Sequence, residues 1–264
     1  MPFSFNESFV VEEKQVKLRD PLLVVGLPGV GFVSKMAVDN LVRDLKAEKI
    51  STLYSPHFPN QVLALKSGKL KAFTMRFYLK RLKKRDVVFL KGDLQPLTVE
   101  GQYEVSSKAL KYFASIGGKD VLAMAGYAIH SGAKTPQIYG YFTSRKLFDE
   151  FGKLGVRQSE HAVPIVGMAG LMPSLSRVYK LSGACLLVET PGTPIDSEGA
   201  KHLTNLLGKW LGEKFSSVSL EKRARKAESL LRKIEEQARK EEAAALTGPP
   251  TTETFKKDTL SYIR

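Results

Sequence analysis

The chain has 264 residues, of which 43% are apolar, and its formal net charge is +14. This length suits one large α/β domain followed by a tail, and the apolar fraction is enough for a substantial core. The only cysteine, Cys185, excludes a disulfide within the chain and favours a reduced thiol in the cytoplasm. No apolar run approaches the roughly 18 residues of a membrane span, and a signal peptide is not recognisable at the N-terminus. Export and membrane insertion are therefore not expected.

The first predicted elements are an edge strand, a central strand and a helix. Apolar and polar residues alternate around Phe9 and Val11, which is typical of a short edge strand. Residues 22–25 are all apolar. Because no polar residue alternates with them, we predict a strand that is buried on both faces. Residues 33–41 then place apolar side chains at helical spacing. We expect residues 20–42 to form the centre of the fold.

The turn between the central strand and the first helix contains Gly26, Gly29 and Gly31. Glycines at a helix N-terminus can let backbone N–H groups approach a phosphate. A Walker loop would need Lys and then Ser or Thr after its last glycine, whereas two apolar residues follow Gly31. A loose dinucleotide-type spacing is present, but no carboxylate follows the next predicted strand at residues 49–55. We interpret these glycines as structural and predict no cofactor.

The next two predicted strands, residues 69–79 and 86–90, are joined by a strongly basic turn. Its basic residues are Lys80, Arg81, Lys83, Lys84 and Arg85. Aromatic residues that could stack on nucleic acid do not interleave them. A solvated or partner-docking patch is therefore favoured over a nucleic-acid site.

The second half of the chain alternates predicted strands and helices. Helices are predicted at residues 101–113, 142–154, 171–179 and 197–215, and buried strands at residues 121–127 and around Cys185. Residues 126–143 are predicted to form a loop, and Pro173 is expected in the first turn of its helix. This alternation predicts an α/β sandwich with a mixed central sheet.

Candidate catalytic and metal-binding residues are sparse. His130 lies in the predicted loop, which contains no acid to orient it, so a nucleophilic triad is not indicated. The four histidines are far apart and show no paired metal-ligand spacing. We predict no metal and no catalytic residue.

Three ordered motifs resemble the proteasome assembly chaperone family: VVGLPGVGFVSKMAVDNLV, GYAIHSGAK and GMAGLMPSLSRVYKLSGACLLVETPGTPIDSEGAKHLTNLLGKWLG. The likeness covers roughly residues 8–215 and is greatest to archaeal homologues of the second eukaryotic assembly chaperone. It implies a three-layer α/β/α sandwich similar to nucleoside phosphorylases but without their catalytic residues. It also implies a non-enzymatic homo-oligomer, in the trimer to pentamer range, that serves proteasome α subunits or a related assembly factor.

A charged helix is predicted at residues 216–246, after a chaperone-like domain that spans residues 1–215. Apolar residues recur there alternately every four and three positions: Leu220, Ala224, Ala227, Leu231, Ile234 and Ala238. Because the other faces are polar, we interpret this stripe as a seam between subunits. The alternative is a helix that packs on its own domain.

Residues 247–264 form a predicted flexible tail that ends in Leu260, Ser261, Tyr262, Ile263 and Arg264. Partners that dock between proteasome α subunits commonly end in a hydrophobic residue, a tyrosine and any residue. Here the tyrosine is shifted by one position, and Ile263 occupies its place. An apolar tip with a free carboxylate still suits binding in a pocket, and a disordered end without a partner is the alternative.

Two other functions stay open from the sequence alone. One is a nucleoside phosphorylase- or hydrolase-like enzyme that uses residues 26–31 to bind phosphate. The other is a nucleic-acid-binding protein that uses the basic turn at residues 80–85.

Overall fold

The computed structural model describes residues 7–129 and 135–217, together with residues 220, 222 and 225. The strands are β1 (Phe9–Glu12), β2 (Leu22–Gly26), β3 (Glu48–Tyr54), β4 (Val62–Ala64), β5 (Leu70–Ala72), β6 (Met75–Arg81), β7 (Asp86–Gly92), β8 (Asp120–Ala128), β9 (Ile138–Phe142) and β10 (Ser182–Thr190). The α-helices of the described residues are α1 (Val33–Asp44), α2 (Val99–Ser115), α3 (Arg145–Gly152), α4 (Met168–Leu175) and α5 (Ser197–Leu211). None of the helices within these residues has the length and apolar content to cross a membrane.

Eight strands form one mixed sheet in the order β1-β3-β6-β7-β2-β8-β10-β9. Strands β7, β2, β8 and β10 are parallel to one another, whereas β1, β3, β6 and β9 join antiparallel neighbours. Strand β2 lies between β7 and β8, and all five of its residues are buried. The predictions of a mixed sheet, a central strand buried on both faces and an edge strand near Phe9 are confirmed.

Helices cover both faces of this sheet. Side chains of α1, α3 and α5 pack with Leu22 and Val24 on one face. Side chains of α2 and α4 pack with Leu23 and Val25 on the other. Since neighbouring strand residues point to opposite faces, the uninterrupted apolar run of β2 supplies both cores. The predicted three-layer α/β/α sandwich is confirmed.

The parallel strands give the sandwich two different ends. We call the edge at which β2, β7, β8 and β10 finish the carboxyl end, and the opposite edge the amino end. Helices α1, α2 and α5 begin at the carboxyl end and return to the amino end. Thr98 and Asp196 cap α2 and α5 by accepting hydrogen bonds from the N–H groups of Gly101 (3.0 Å) and Gly199 (2.9 Å), which fixes where these helices start.

Three predicted boundaries differ from the structure. Strand β9 lies inside the predicted loop at residues 126–143, where it pairs antiparallel with β10 at the edge of the sheet. Residues 69–79 are divided between β5, which pairs only with β4, and β6 of the main sheet. Helix α5 ends before the predicted residue 215 because Gly212 adopts a left-handed conformation with φ of 69°.

Pro173 is also placed differently from the prediction. Helix α4 begins at Met168, so Pro173 lies at the sixth helical position rather than in the first turn. A proline there cannot donate a hydrogen bond to the carbonyl group four residues earlier, which limits the length of the helix. Helix α4 accordingly ends at Leu175 and continues as a 3-10 turn, Ser176–Tyr179.

Candidate interaction surfaces

The glycine turn after β2 permits close packing of α1. A Cβ atom on Gly26 would lie 2.2 Å from Cβ of Val38, in the middle of α1. Gly31 has φ of 63°, and a Cβ atom there would lie 3.0 Å from Oγ1 of Thr190. Gly29 is extended, with φ of −171°, and a Cβ atom there would have no neighbour within 4 Å. Sterics therefore require glycine at residues 26 and 31 and do not require it at residue 29.

A crevice of about 470 Å³ opens between this turn and residues 164–169. It lies between the carboxyl ends of β2 and β8, where the chain connections diverge and where ligands of open α/β sheets bind. Two polar side chains of its lining, Ser34 and Gln95, already make hydrogen bonds within the fold. Ser34 Oγ donates to the carbonyl oxygen of Val25 (3.1 Å). Gln95 donates to the carbonyl oxygen of Pro28 (2.7 Å) and accepts from the N–H of Met168 (2.9 Å).

The remaining lining of the crevice is mainly apolar, with Val30, Tyr127, Ile165, Val166 and Ala169 around its rim. Among the described lining residues there is no Lys, Arg, His, Asp or Glu side chain. A phosphate group would therefore meet no charged side chain there. The crevice is suited to apolar contacts, so its lining does not favour the enzyme alternative.

Exposed apolar side chains concentrate at the carboxyl end of the sandwich, and three of them, Val30, Tyr127 and Val166, line this crevice. Of thirteen large hydrophobic residues that are exposed in the described part of the chain, twelve lie at the carboxyl end and one, Val178, at the amino end. The twelve are Val30, Phe32, Tyr54, Val62, Leu63, Leu65, Leu70, Leu97, Val99, Tyr103, Tyr127 and Val166. Exposed apolar residues are ordinarily scattered, and a cluster marks an interaction site. We call these twelve residues the apolar surface.

The hairpin formed by β4 and β5 projects from the apolar surface. Its strands have three residues each and pair only with each other. Lys71 Nζ anchors it through Oδ1 of Asp93 (2.9 Å), whose other carboxylate oxygen accepts from Arg76 (3.3 Å). Leu70 on this hairpin is 74% exposed. Because short two-stranded hairpins are only marginally stable in water, this arm is expected to gain stability by packing on another surface.

The basic turn joins β6 to β7 at the amino end, and its arginines differ from its lysines. Arg85 is only 9% exposed. Its Nη2 donates to Oδ2 of Asp120 (2.6 Å), and its guanidinium lies 5.6 Å from the centre of the Trp210 ring. Arg81 pairs with the buried Asp86 (2.8 Å). The expectation that Arg85 belongs to an exposed docking patch is wrong, because its guanidinium is buried and forms an ion pair with Asp120.

The lysines of the turn face outward. Lys83 and Lys84 are exposed and Lys80 is half-buried, and none of the three pairs with a carboxylate among the described residues. The guanidinium of Arg19 donates to the carbonyl oxygens of Leu82 (2.6 Å) and Lys83 (2.9 Å), which holds the turn in place. The turn therefore presents uncompensated positive charge on a fixed backbone.

Comparison with known proteins identifies the family of this fold. The profile of the PAC2 family matches residues 23–235. The chain belongs to the PAC2 family. The family resemblance predicted from the three sequence motifs is thus confirmed.

Three archaeal proteins are similar to this PAC2 chain. An uncharacterized protein of Methanocaldococcus jannaschii is 31% identical over 239 residues, which cover 90% of this chain and 92% of that protein. The structure is similar to Pyrococcus furiosus PbaB, an archaeal proteasome activator, with a TM-score of 0.79, 30% identity, and coverage of 87% of this chain and 99% of PbaB. It is also similar to PbaA of the same organism, an archaeal homolog of proteasome-assembly chaperone. There the TM-score is 0.72, the identity 26%, and the coverage 89% and 99%.

Several predicted site residues of the PAC2 chain lie outside the described residues. They are His130, Ala224, Ala227, Leu231, Ile234, Ala238, Leu260, Tyr262, Ile263 and Arg264. Leu220 is described, and it is buried in the core that also contains α1 and α5. At this position the chain packs on its own domain, so Leu220 is unavailable to a second subunit. The prediction that Leu220 belongs to a helix seam between subunits is therefore wrong.

Two other titratable side chains of the PAC2 domain, His57 and Asp39, pack against or pair with residues of the fold itself. His57 packs against the backbone of α2, where a Cβ atom on Gly101 would lie 2.6 Å from its Cβ. Groups of three or more potential metal ligands do not occur within the described ranges. Asp39 pairs with Lys35 (3.1 Å) and Lys91 (2.7 Å). Burial acts to raise the pKa of Asp39, but the two lysines outweigh it, and its pKa is lowered.

Cys185 is expected to be unreactive in the folded protein. Burial in β10 raises the pKa of its thiol to about 12, so roughly one thiol in ten thousand is ionised at pH 8. Maleimide labelling at pH 8 should therefore be slow in native conditions and fast in urea, and mass spectrometry would follow it. Fast native labelling would contradict this burial. As a control, a Val166→Cys variant should label rapidly, since residue 166 is 90% exposed.

Proposed function

We propose that this PAC2 chain is a non-enzymatic proteasome assembly chaperone or activator. The observation that carries the proposal is the near-complete match to PbaB, a proteasome activator, at 30% identity and a TM-score of 0.79. The match to PbaA, a homolog of proteasome-assembly chaperone, supports the same conclusion. Proteasome α subunits are the expected partner. The apolar lining of the crevice, without charged side chains among its described residues, is consistent with a protein-binding role.

The proposed contact with the α ring is the C-terminal tail. Residues 260–264 combine apolar side chains, one tyrosine and a chain-terminal carboxylate. A pocket between two subunits can hold such a tip through apolar contacts and through hydrogen bonds to the carboxylate. The Pro- and Thr-containing sequence before it would let the tip reach a pocket at some distance from the domain.

A pull-down of the α ring from the same organism tests this proposal. The full-length protein should retain the ring, and a version that ends at Ser261 should lose it. Tyr262→Ala and Ile263→Ala should each weaken retention, whereas Ser261→Ala is a matched control that should not. Failure of the full-length protein to retain the ring would overturn tail docking. Retention by the truncated version would assign the contact to the folded domain instead.

We further propose that the chain forms a homo-oligomer through the apolar surface. The same surface offers a projecting apolar arm, the β4–β5 hairpin, and a concave apolar crevice of about 470 Å³. A convex and a concave apolar feature on one chain provide complementary surfaces for a contact between two identical copies. Apolar, well-packed contacts are also typical of permanent interfaces. A second copy of this chain is therefore the expected occupant.

A pair of matched valine variants tests self-association. Val166→Glu places a charge on the apolar surface, and Val178→Glu places the same charge at the amino end on a residue that is 72% exposed. Light scattering coupled to size-exclusion chromatography should show a smaller species for Val166→Glu and an unchanged one for Val178→Glu. Equal masses for both variants and the wild type would show that the apolar surface does not form the interface.

A further inference from the structure

Exposed positive charge collects at the amino end of the sandwich, where the proposed function places no role. Lys83 and Lys84 lie in the β6–β7 turn. The segments that precede β2, β8 and β10 and the end of α5 add further exposed basic residues: Lys17, Arg19, Lys119, Arg177, Lys180, Lys209 and Lys214. Lysine and arginine from five separate segments thus share one end of the molecule.

Three acidic residues at this end pair with arginines rather than with these lysines. Asp86 and Asp120 are buried, and they pair with Arg81 (2.8 Å) and Arg85 (2.6 Å). Asp20 also faces Arg85, with Nε and Oδ2 at 3.3 Å. Because these carboxylates pair with arginines, they do not pair with the neighbouring lysines. The positive charge of these lysines is therefore exposed to solvent. Charge that is segregated in this way raises the association rate with an acidic surface.

Residues 213–217 follow α5 at this same end. The carboxylate of Glu213 accepts from the N–H of Lys83 (3.5 Å). The carbonyl oxygen of Ser216 accepts from the side chain of Asn40 (3.0 Å), and Leu220 is buried in the core. The residues just after α5 are therefore held beside the basic turn.

The lysines are presented by a turn that is fixed before any partner binds. Arg19 donates to two carbonyl groups of the turn, and Arg81 donates to the carbonyl oxygen of Lys17 (3.2 Å). A fixed backbone reduces the entropy that is lost on binding. Two contacts on one chain, a basic surface and a tail, also raise each other's effective concentration.

We propose that Lys83 and Lys84, with the basic residues around them, form a second docking site, which binds an acidic surface of the protein partner that receives the tail. This inference rests on the proposed function and adds the chemistry of the partner. Protein is favoured over nucleic acid because the exposed aromatic side chains of the described residues all lie at the carboxyl end. Among the described residues, the aromatic side chains at the amino end, Tyr179, Trp210 and Phe215, are only half-exposed, which does not favour stacking of bases.

Binding of the full chain to the α ring at several salt concentrations tests the inference. Lys83→Glu/Lys84→Glu reverses two charges of the turn. Lys66→Glu/Lys153→Glu is the matched control, since it makes the same change in net charge at two exposed residues that lie away from the amino end. We expect the turn variant to raise the Kd by about tenfold at low salt and to flatten the salt dependence. The control variant should change the Kd by less than about threefold.

Each outcome separates this inference from the proposed function. If the wild type binds and the two variants weaken binding equally, only net charge matters and the docking site is overturned, while the proposed function stands. If the wild type does not bind the ring, the proposed function fails and the inference falls with it. A labelled 20-base-pair DNA duplex is the third arm. Duplex binding that is tighter than ring binding, and that is lost in Lys83→Glu/Lys84→Glu, would assign the surface to nucleic acid instead.

Discussion

Replacing Arg85 with alanine is expected to lower the free energy of unfolding by about 3–5 kcal/mol, the usual cost of removing one partner from a buried ion pair. Asp120 would keep its negative charge in a site where its side chain is only 8% exposed. The carbonyl oxygen of Asp20 would lose the hydrogen bond from Arg85 Nε (2.9 Å). The Trp210 ring would lose the guanidinium that lies over it. Urea denaturation followed by circular dichroism would measure the change.

The neighbouring lysine provides the control for Arg85. Lys84 is exposed and pairs with no described carboxylate, so Lys84→Ala should change the free energy of unfolding by less than about 0.5 kcal/mol. Adding Asp120→Asn to Arg85→Ala should recover part of the lost stability, because it removes the uncompensated charge. Equal urea midpoints for Arg85→Ala and Lys84→Ala would contradict the structural role assigned to Arg85.

Replacing Gly26 with alanine is expected to destabilise the protein by about 3 kcal/mol, the upper part of the range for overpacking a core. The new Cβ atom would lie 2.2 Å from Cβ of Val38 and 2.4 Å from one of its methyl groups. Val38 is fully buried in the middle of α1, so it cannot rotate away without moving the helix. Since α1 also contacts α5, its displacement would loosen one whole layer. Thermal and urea denaturation would both report the loss.

Gly29→Ala is the matched variant in the same turn. Its backbone is extended and a Cβ atom there would meet open space, so its effect should stay within about 0.5 kcal/mol. A large loss of stability from Gly29→Ala would show that the turn needs flexibility rather than close packing. Comparable losses for both variants would refute the packing argument for Gly26.

Much of the fold follows from local patterns along the chain. Residues 22–25 have no polar alternate, and this alone predicted a strand with helices on both sides. The helical spacing of apolar residues predicted α1, α2 and α5, although the C-terminal limit of α5 was too late. Strand β9 was missed because it is short, lies at the sheet edge and contains a glycine, so its pattern resembles that of a loop. Recognition of the family came from ordered motifs rather than from any single residue.

The interaction surfaces could be only partly predicted. Local patterns in the sequence do not indicate that Val30, Leu97 and Val166 lie at one end of the sandwich, because they come from loops that are far apart in the chain. They lie at the same end because parallel strands bring their carboxyl ends to one edge of a sheet. The basic turn was predicted in the right place, but the inward side chain among its five basic residues was not identified.

The sequence by itself determined the order of strands and helices, the burial of β2, the family and the position of the basic turn, because hydrophobic periodicity and turn residues act over a few positions. The tertiary structure decided which residues of these elements are available to a partner. Arg85 became internal because Asp120, 35 residues away, lies beside it, and Leu220 became internal because the core extends to it. Whether such a residue is buried or exposed depends on contacts between distant segments, because the free energy of burying a charge or an apolar side chain depends on the groups packed around it.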